Sequence, residues 1–254
     1  MPITTTLGDD GVALVVLDFP PVNALPVQAW FDLASTLTET GRDTATRVIV
    51  LAAEGRGFCA GVDIKEMQRT AGFDALVGAN RGCHAAFGAV YDCPVPVIAA
   101  VHGFCLGGGI GLVGNADGIV ASEDATFGLP EVDRGALGAG THLSRLVPAH
   151  LARMLYYTGK TVTARQLEQH GSVWQVTSSA QLREAAVELA REIAAKQPTV
   201  VRFAKEALNG IDPVDVHRSY RYEQGFTFEV NLLGVADRER DAFINEQPAK
   251  GSPS

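Results

Sequence analysis

In the first half of the chain, apolar residues come in short unbroken runs separated by glycine and proline. VALVVLD at 12–18, RVIVLAA at 47–53, VIAAV at 97–101 and GIVA at 118–121 have strand length. Apolar runs of roughly four to eight residues bounded by turn signals are the pattern of strands buried on both faces. Between them lie helical periods. Leu25 to Thr40 predicts an amphipathic helix with Pro26 in its first turn and Gly41 past its end. Residues 73–91 predict a second, stopped by CPVP at 93–96, and the glycine cluster at 107–111 opens an apolar third. From about residue 140 strand signals fade, and helical periods run at 142–147, 151–157, 163–169, 180–196, 198–209 and 213–246. In 180–196, Leu182, Ala186, Leu189 and Ile193 form a stripe for burial, and Arg183, Glu184, Glu188, Arg191 and Glu192 a face for water. The pattern predicts an α/β core over 1–195 and a helical region over 196–254. The strand–strand–helix rhythm of the first half reads as a weak structural repeat, and KGSPS at the end as a polar tail.

Composition narrows the class. The chain has 254 residues, 46% hydrophobic and 20% charged. That is enough to bury a core without staples, and it excludes a disordered, collagenous or coiled-coil protein. The apolar run VPVIAAV at 95–101 is far short of the ~20 residues that span a bilayer. No basic stretch precedes an apolar one at the N-terminus, so the expected location is cytoplasmic. A formal net charge of −8 argues against nucleic acid and anionic membrane as main partners. Cys59, Cys83, Cys93 and Cys105 form no CxxC, and no histidine stands at zinc-finger spacing. They read as buried free thiols, and no metal or redox cofactor is predicted.

Three loops carry candidate chemistry. Gly57 to Met67 (GFCAGVDIKEM) runs from small residues into a short helix opening near Asp63. It reads either as a plain turn or as a set of free N–H groups facing an anion. His102 to Gly111 (HGFCLGGGIG) places three consecutive glycines after a buried strand, where a backbone or a ligand can approach closely. In frame, Gly109 to Gly114 also matches GxGxxG, but the match stands too far from its strand for a dinucleotide turn. Phe127 to Gly135 (FGLPEVDRG) holds Glu131 and Asp133. These read either as surface partners of Arg134 or, if desolvated, as carboxyls with raised pKa fit for proton transfer.

Taken in order, GRGFCAGVDIKEM, PVIAAVHGFCLGGGIGL, ASEDATFGLPEV and TGKTVTA resemble the crotonase superfamily, the enoyl-CoA hydratase/isomerase family, over residues 10–245. The resemblance implies a spiral of strand–strand–helix units and a C-terminal helical region that mediates trimers, often paired into hexamers. It implies an acyl-CoA substrate, with coenzyme A as part of that substrate and no other bound cofactor. Carried over, the two backbone N–H donors for the thioester carbonyl fall on Val62 and Gly108. Ala60, Asp63, Ile64, Lys65 and Gly107 fall on the CoA and thioester side of the site, and a neighbouring subunit's Phe226, Phe228 or Lys250 is a further candidate there. Preorganised donors of this kind stabilise a developing enolate by several kcal/mol.

The acid/base residues depart from the pattern. Hydratases of the family hold one water between two glutamates; the corresponding positions here are Gly111 and Glu131. The missing side chain is expected to leave room for a bulkier acyl group and to disfavour two-carboxylate hydration. One carboxyl still suffices for enoyl isomerisation or for hydrolysis of a β-keto C–C bond. The strings PPVNALPVQAWFDLA, ANRGCHAAF, GGGIGLVGNADGIVASEDATFGLPEVDRGALGAGTHLSRLVP and YRYEQGFTFEVNL resemble actinobacterial crotonase-fold hydrolases of steroid catabolism, which open a ring of a bicyclic CoA thioester. The expected catalytic set is Glu131, Val62 and Gly108, with Asp133 a further candidate. His84 and His142 read as core or surface histidines first, and Cys59 and Cys105 as packing residues. An ordinary enoyl-CoA hydratase or isomerase is the alternative.

Overall fold

The four apolar runs become four neighbouring strands of a six-stranded sheet in the computed structural model, which describes residues 2–246. The chain opens with a hairpin, β1 (Ile3–Leu7) antiparallel to β2 (Val12–Leu17). A rhythm then repeats. A long strand joins the large sheet, a short strand joins a second layer, and a helix follows. The first round is β2, β3 (Ala24–Leu25) and α1 (Val27–Arg42), and the second is β4 (Val48–Ala53), β5 (Gly61–Val62), α2 (Ile64–Arg69) and α3 (Asp74–Tyr91). The third is β6 (Val97–Val101), β7 (Phe104–Leu106) and α4 (Gly108–Val113). The fourth is β8 (Gly118–Ser122), β9 (Thr126–Gly128) and a 3-10 helix at Pro130–Arg134. The weak repeat read from the sequence is therefore the architecture of the core.

After α5 (Gly140–Leu143) and α6 (Ala149–Thr158) come β10 (Thr161–Thr163), α7 (Ala164–Gln169) and β11 (Gln175–Thr177). The region past residue 140, read as helical, thus returns two strands. β11 completes the large sheet in the order β1-β2-β4-β6-β8-β11. From β2 onward that sheet is parallel, with Val50 of β4 between Leu14 of β2 and Ile98 of β6.

Burial explains the unbroken apolar runs. Ile49, Leu51 and Ala53 of β4 point into the main core with Trp30, Leu33 and Phe87. Val48, Val50 and Ala52 point the other way, under Leu182, Ala186, Ala190 and Ala194 of α8 (Leu182–Ala194). A strand covered on both faces has no polar side to show. The second layer consists of β3 beside β5 and of β10, β9 and β7. A parallel bridge between Cys59 and Cys105 links the two sets, with Leu106 N–H donating to Cys59 O at 2.8 Å. That link brings the two glycine-bearing loops side by side.

The chain ends in α9 (Pro198–Ile211), α10 (Val216–Leu232) and α11 (Val235–Glu246). The period over 213–246 is broken at Gly234, where φ is +68°. α9 turns the usual polarity around. Lys205, 4% exposed, donates to Asp117 Oδ2 at 2.7 Å and to the carbonyls of Val95 and Val90 at 3.1 and 3.2 Å. Arg202 reaches Thr46 O, and Asn209 Nδ2 reaches Tyr91 O. Val200, Phe203, Leu208 and Ile211 face outward, 63–76% exposed. α10 packs on α3: Gln224 Nε2 donates to Asn80 O at 2.7 Å, and the Tyr220 and Phe87 rings stand 5.2 Å apart. Among the described residues no helix is long and apolar enough to cross a membrane. None of the His, Cys, Asp and Glu residues described group to hold a metal ion.

Candidate active site

Two loops and one carboxyl meet where the second layer ends. Gly107 (φ +57°, ψ −120°) turns β7 into α4 and tolerates no side chain. A Cβ there would lie 2.6 Å from Glu131 Oε1, and a Cβ on Gly61 would lie 3.2 Å from Gly108 N. Gly61 thus packs against Gly107 and Gly108, and Gly107 against the Glu131 carboxyl.

The N–H groups of this cluster are oriented by their neighbours. Asp63 N–H donates to Leu25 O across to β3 at 3.0 Å. Val62, one residue earlier on an extended strand, turns its N–H to the opposite side. Gly108 begins α4, where the first N–H groups have no intrahelical acceptor. Ala60 N–H is spent on Asn23 O at 3.2 Å. Of the expected CoA-side residues, Ala60 and Asp63 thus keep no free N–H. The Asp63 side chain caps α2 by accepting from Lys65 N–H at 2.9 Å. Ile64 is half-buried and Lys65 exposed, both on the opening turn of α2.

Glu131 follows Pro130 on the 3-10 helix. Its residue surface is only partly covered, but Oε2 is buried and has no hydrogen-bond partner. Burial pushes its pKa up to about 8, against a smaller opposing effect from backbone hydrogen bonding and Arg134. The Cys83 thiol and Tyr220 hydroxyl lie close enough to feel this carboxyl, and burial pushes both of them up as well. A second buried acid stands nearby. Glu223 of α10 accepts from Gly140 N–H at 2.9 Å, from Thr141 N–H at 3.4 Å and from Tyr156 Oη at 2.8 Å. Burial raises its pKa too. Its three donors make it the anchor of the 138–141 segment behind Glu131. Glu223 stands within the string YRYEQGFTFEVNL, but sequence alone gives it no role, because it comes from α10, far along the chain.

Asp133 is not brought to the site. It is exposed and lies against Gly159, without an ion pair to Arg134. Arg134 instead stacks on Phe243 at 4.2 Å, its Nη1 donating to Pro130 O. At about three residues per turn, positions 131 and 133 of a 3-10 helix face different sides.

The room expected at Gly111 is already filled. A Cβ on Gly111 would stand 2.2 Å from Cζ of Phe87. Phe87 is held edge-on by Trp30 at 5.7 Å and by His142 at 5.0 Å. The missing glutamate is thus replaced by an aromatic wall, not by open space.

His142 belongs to that wall. Asn115 Nδ2 donates to Phe87 O at 2.9 Å, so Asn115 Oδ1 faces His142 Nδ1 at 3.1 Å and fixes the proton there. Burial pushes its pKa down to about 3, so the ring is neutral. His84 is packed between His217 and Tyr220. The four cysteines are free and buried, with Cys59 pushed up to about 12 by burial. Such thiols are inert packing groups. The GxGxxG glycines serve packing: a Cβ on Gly109 would press on Cys59 O at 2.9 Å, and one on Gly114 on His142 O at 2.5 Å. Among the subunit-contact candidates, Phe226 is exposed, Phe228 half-buried, and Lys250 lies outside the described residues.

Comparison with known proteins shows the family. The model of the enoyl-CoA hydratase/isomerase family matches residues 8–230. A Mycobacterium tuberculosis (7aS)-7a-methyl-1,5-dioxo-2,3,5,6,7,7a-hexahydro-1H-indene-carboxyl-CoA hydrolase is 66% identical over 97% of this chain and 100% of its own. A Rhodococcus jostii hydrolase of the same name is 63% identical over 96% of this chain and 95% of its own. Among solved structures, an enoyl-CoA hydratase from Bacillus anthracis superposes with a TM-score of 0.79 at 31% identity, covering 91% of this chain and 90% of that one. An enoyl-CoA hydratase/isomerase from Xanthobacter autotrophicus gives 0.85 at 27% identity over 100% of this chain and 99% of that one. In sequence and fold, the chain belongs to the enoyl-CoA hydratase/isomerase family.

Proposed function

We propose that this protein is a CoA-thioester hydrolase that opens a ring of a bicyclic indene-dione carboxyl-CoA by cleaving a C–C bond. The observation that carries the reading is the single carboxyl at the glycine cluster. Glu131 is buried and raised, while the position of a second carboxyl is Gly111 backed by Phe87. The names of the relatives above 60% identity support the substrate class.

In the proposed mechanism, Glu131 takes a proton from water, whose oxygen bonds to the ring ketone carbon. The bond from that carbon to its quaternary neighbour breaks. Its electron pair passes into the thioester, whose oxygen is held by the N–H groups of Val62 and Gly108. The proton on Glu131 returns to the new carbanion, and the net change is the addition of one water. Donors fixed before the reaction lower the enolate without a reorganisation cost. Coenzyme A enters as part of the substrate, along Ala60, Asp63, Ile64, Lys65 and Gly107. The N–H groups of Ala60 and Asp63 are spent and the Asp63 carbonyl accepts from Met67 N–H, which leaves the Ala60 carbonyl and the Lys65 ammonium for it.

Turnover in isotopically labelled water tests this. Label is expected in a new carboxylate of the opened indene-dione thioester, with crotonyl-CoA left unchanged. Label in a hydroxyl β to the thioester of crotonyl-CoA would instead make the protein a hydratase working with one glutamate.

The same reading includes a cytoplasmic trimer or hexamer assembled through residues 196–254. The outward apolar face of α9 supports it, since four large apolar side chains on one short helix are costly in water. Light scattering is expected to give three or six times the chain mass of 26.8 kDa, and a monomer mass would refute the assembly.

A further inference from the structure

Ring opening by the proposed route places negative charge on two different oxygens. The thioester oxygen carries it after the C–C bond breaks. The ring ketone oxygen carries it before, while water adds. The backbone donors at Val62 and Gly108 serve the first and cannot also reach the second, which lies a ring away. A group near Glu131 must serve the ketone, because the attacking water lies between Glu131 and the ketone carbon.

Among the described residues, two fully buried side-chain nitrogens have no hydrogen-bond partner, Asn80 Nδ2 and His142 Nε2. Gln224 Nε2 is spent on Asn80 O, and its Oε1 accepts from Arg221. Glu223 is an acceptor held by three donors. His142 Nε2 has no partner, but the ring's proton sits on Nδ1, so Nε2 offers only a lone pair. Asn80 remains. It is 9% exposed, and its Nδ2 is buried with no hydrogen-bond partner. It stands one turn from Cys83 on the inward stripe of α3, and Cys83 is the thiol that feels the Glu131 carboxyl. One turn to its other side, Leu76 lines a cavity of ≈250 Å³ between α2, α3, α10 and α11. Asn80 thus stands on the buried stripe of α3 between Leu76, at that cavity, and Cys83. A buried amide left unpaired costs free energy, and such a group in a native fold calls for a partner, a water or a ligand atom.

Resting on the ring-opening reading, we propose that Asn80 Nδ2 is a second oxyanion donor, hydrogen-bonding the ring ketone oxygen while water adds to its carbon. The amide offers two N–H donors and gives up neither, so no proton is transferred through it.

Asn80→Asp keeps the shape and removes the donor, and Asn80→Ala removes the group. Each is expected to lower kcat for indene-dione ring opening about 100-fold, the effect of losing one such donor. Affinity for cyclohexenecarboxyl-CoA, which has the thioester but no ring ketone, is expected to stay within about threefold. A kcat within about threefold of wild type in both variants would overturn the proposal. So would a matching loss of cyclohexenecarboxyl-CoA affinity, which would assign Asn80 to packing. Wild-type turnover separates the two readings. A wild type that leaves the indene-dione thioester intact overturns ring opening and this role together, and an active wild type with undiminished variants overturns only the role of Asn80.

Discussion

Glu131→Gln is expected to cut ring-opening turnover by about three orders of magnitude and, in alkaline buffer, to make the protein more stable. Both effects follow from one burial. The carboxyl is held where its pKa rises from 4.5 to about 8, so the empty site at neutral pH holds it mainly protonated. The basic form that accepts a proton from water grows as pH rises, and kcat/KM of the wild type should climb through that value. Stability moves the other way. Between pH 4.5 and about 8 the folded chain keeps a proton that the unfolded chain has lost. Folding stability therefore falls across that window, by up to ~1.4 kcal/mol for each pH unit. Glutamine cannot ionise and escapes this penalty. Melting curves of the two proteins should coincide near pH 4.5 and separate, with the variant higher, by pH 9. A variant that melts lower than wild type at pH 9 would show that the carboxylate is satisfied in the fold. Retained turnover would remove Glu131 from the mechanism.

Lys205→Met is expected to cost about 3 kcal/mol in denaturant unfolding, the low end for breaking a buried pair from one side. Methionine keeps most of the volume but withdraws the ammonium from Asp117 and from the carbonyls of Val90 and Val95. Two circumstances hold the loss down. Asp117 Oδ2 retains the Val97 N–H at 2.7 Å, and the side chain is 28% exposed, so water can reach it. Asp117→Asn added to Lys205→Met should restore part of the loss by removing the stranded charge. A cost below about 1 kcal/mol would place the pair among ordinary surface ion pairs. The stake is positional as well as energetic. Asp117 leads into β8, and the two carbonyls flank the end of α3 and the start of β6, the strand that feeds the glycine loop.

Lys205 also shows where sequence reading stops. The period over 198–209 is plain, but a period does not say which side faces in. Lys205 and Arg202 turn inward because the carbonyl ends at Gly41, Thr46, Val90 and Val95 give them something to bind. The strands β2, β4, β6 and β8 are legible because two-sided burial writes itself as an unbroken apolar run. β1 is not, since ITTTL is exposed at four of five positions. β3, β5, β7, β9, β10 and β11 have two or three residues each, too few to carry a period. At the site, the glycines and Glu131 are legible as a motif. The Phe87 wall behind Gly111, the Glu223 anchor and the free Asn80 amide are not, because each depends on how α3 and α10 pack against α4 and the 3-10 helix. The separation of Asp133 from Glu131 needs the helix type, which so short a stretch of sequence does not announce.

The close approach of Gly61 to Gly107 and Gly108 has a consequence for how this scaffold can change over time. On the proposed mechanism the groups that hold the thioester are main-chain atoms, and no substitution deletes a backbone N–H short of proline. What substitution does alter is the proton-transfer side chain at position 131 and the wall at positions 87 and 111. Grip on the thioester and the fate of the acyl group are thus encoded in separate parts of the chain. A lineage can exchange one reaction for another by a few side-chain replacements without passing through an ancestor that has lost its hold on coenzyme A esters.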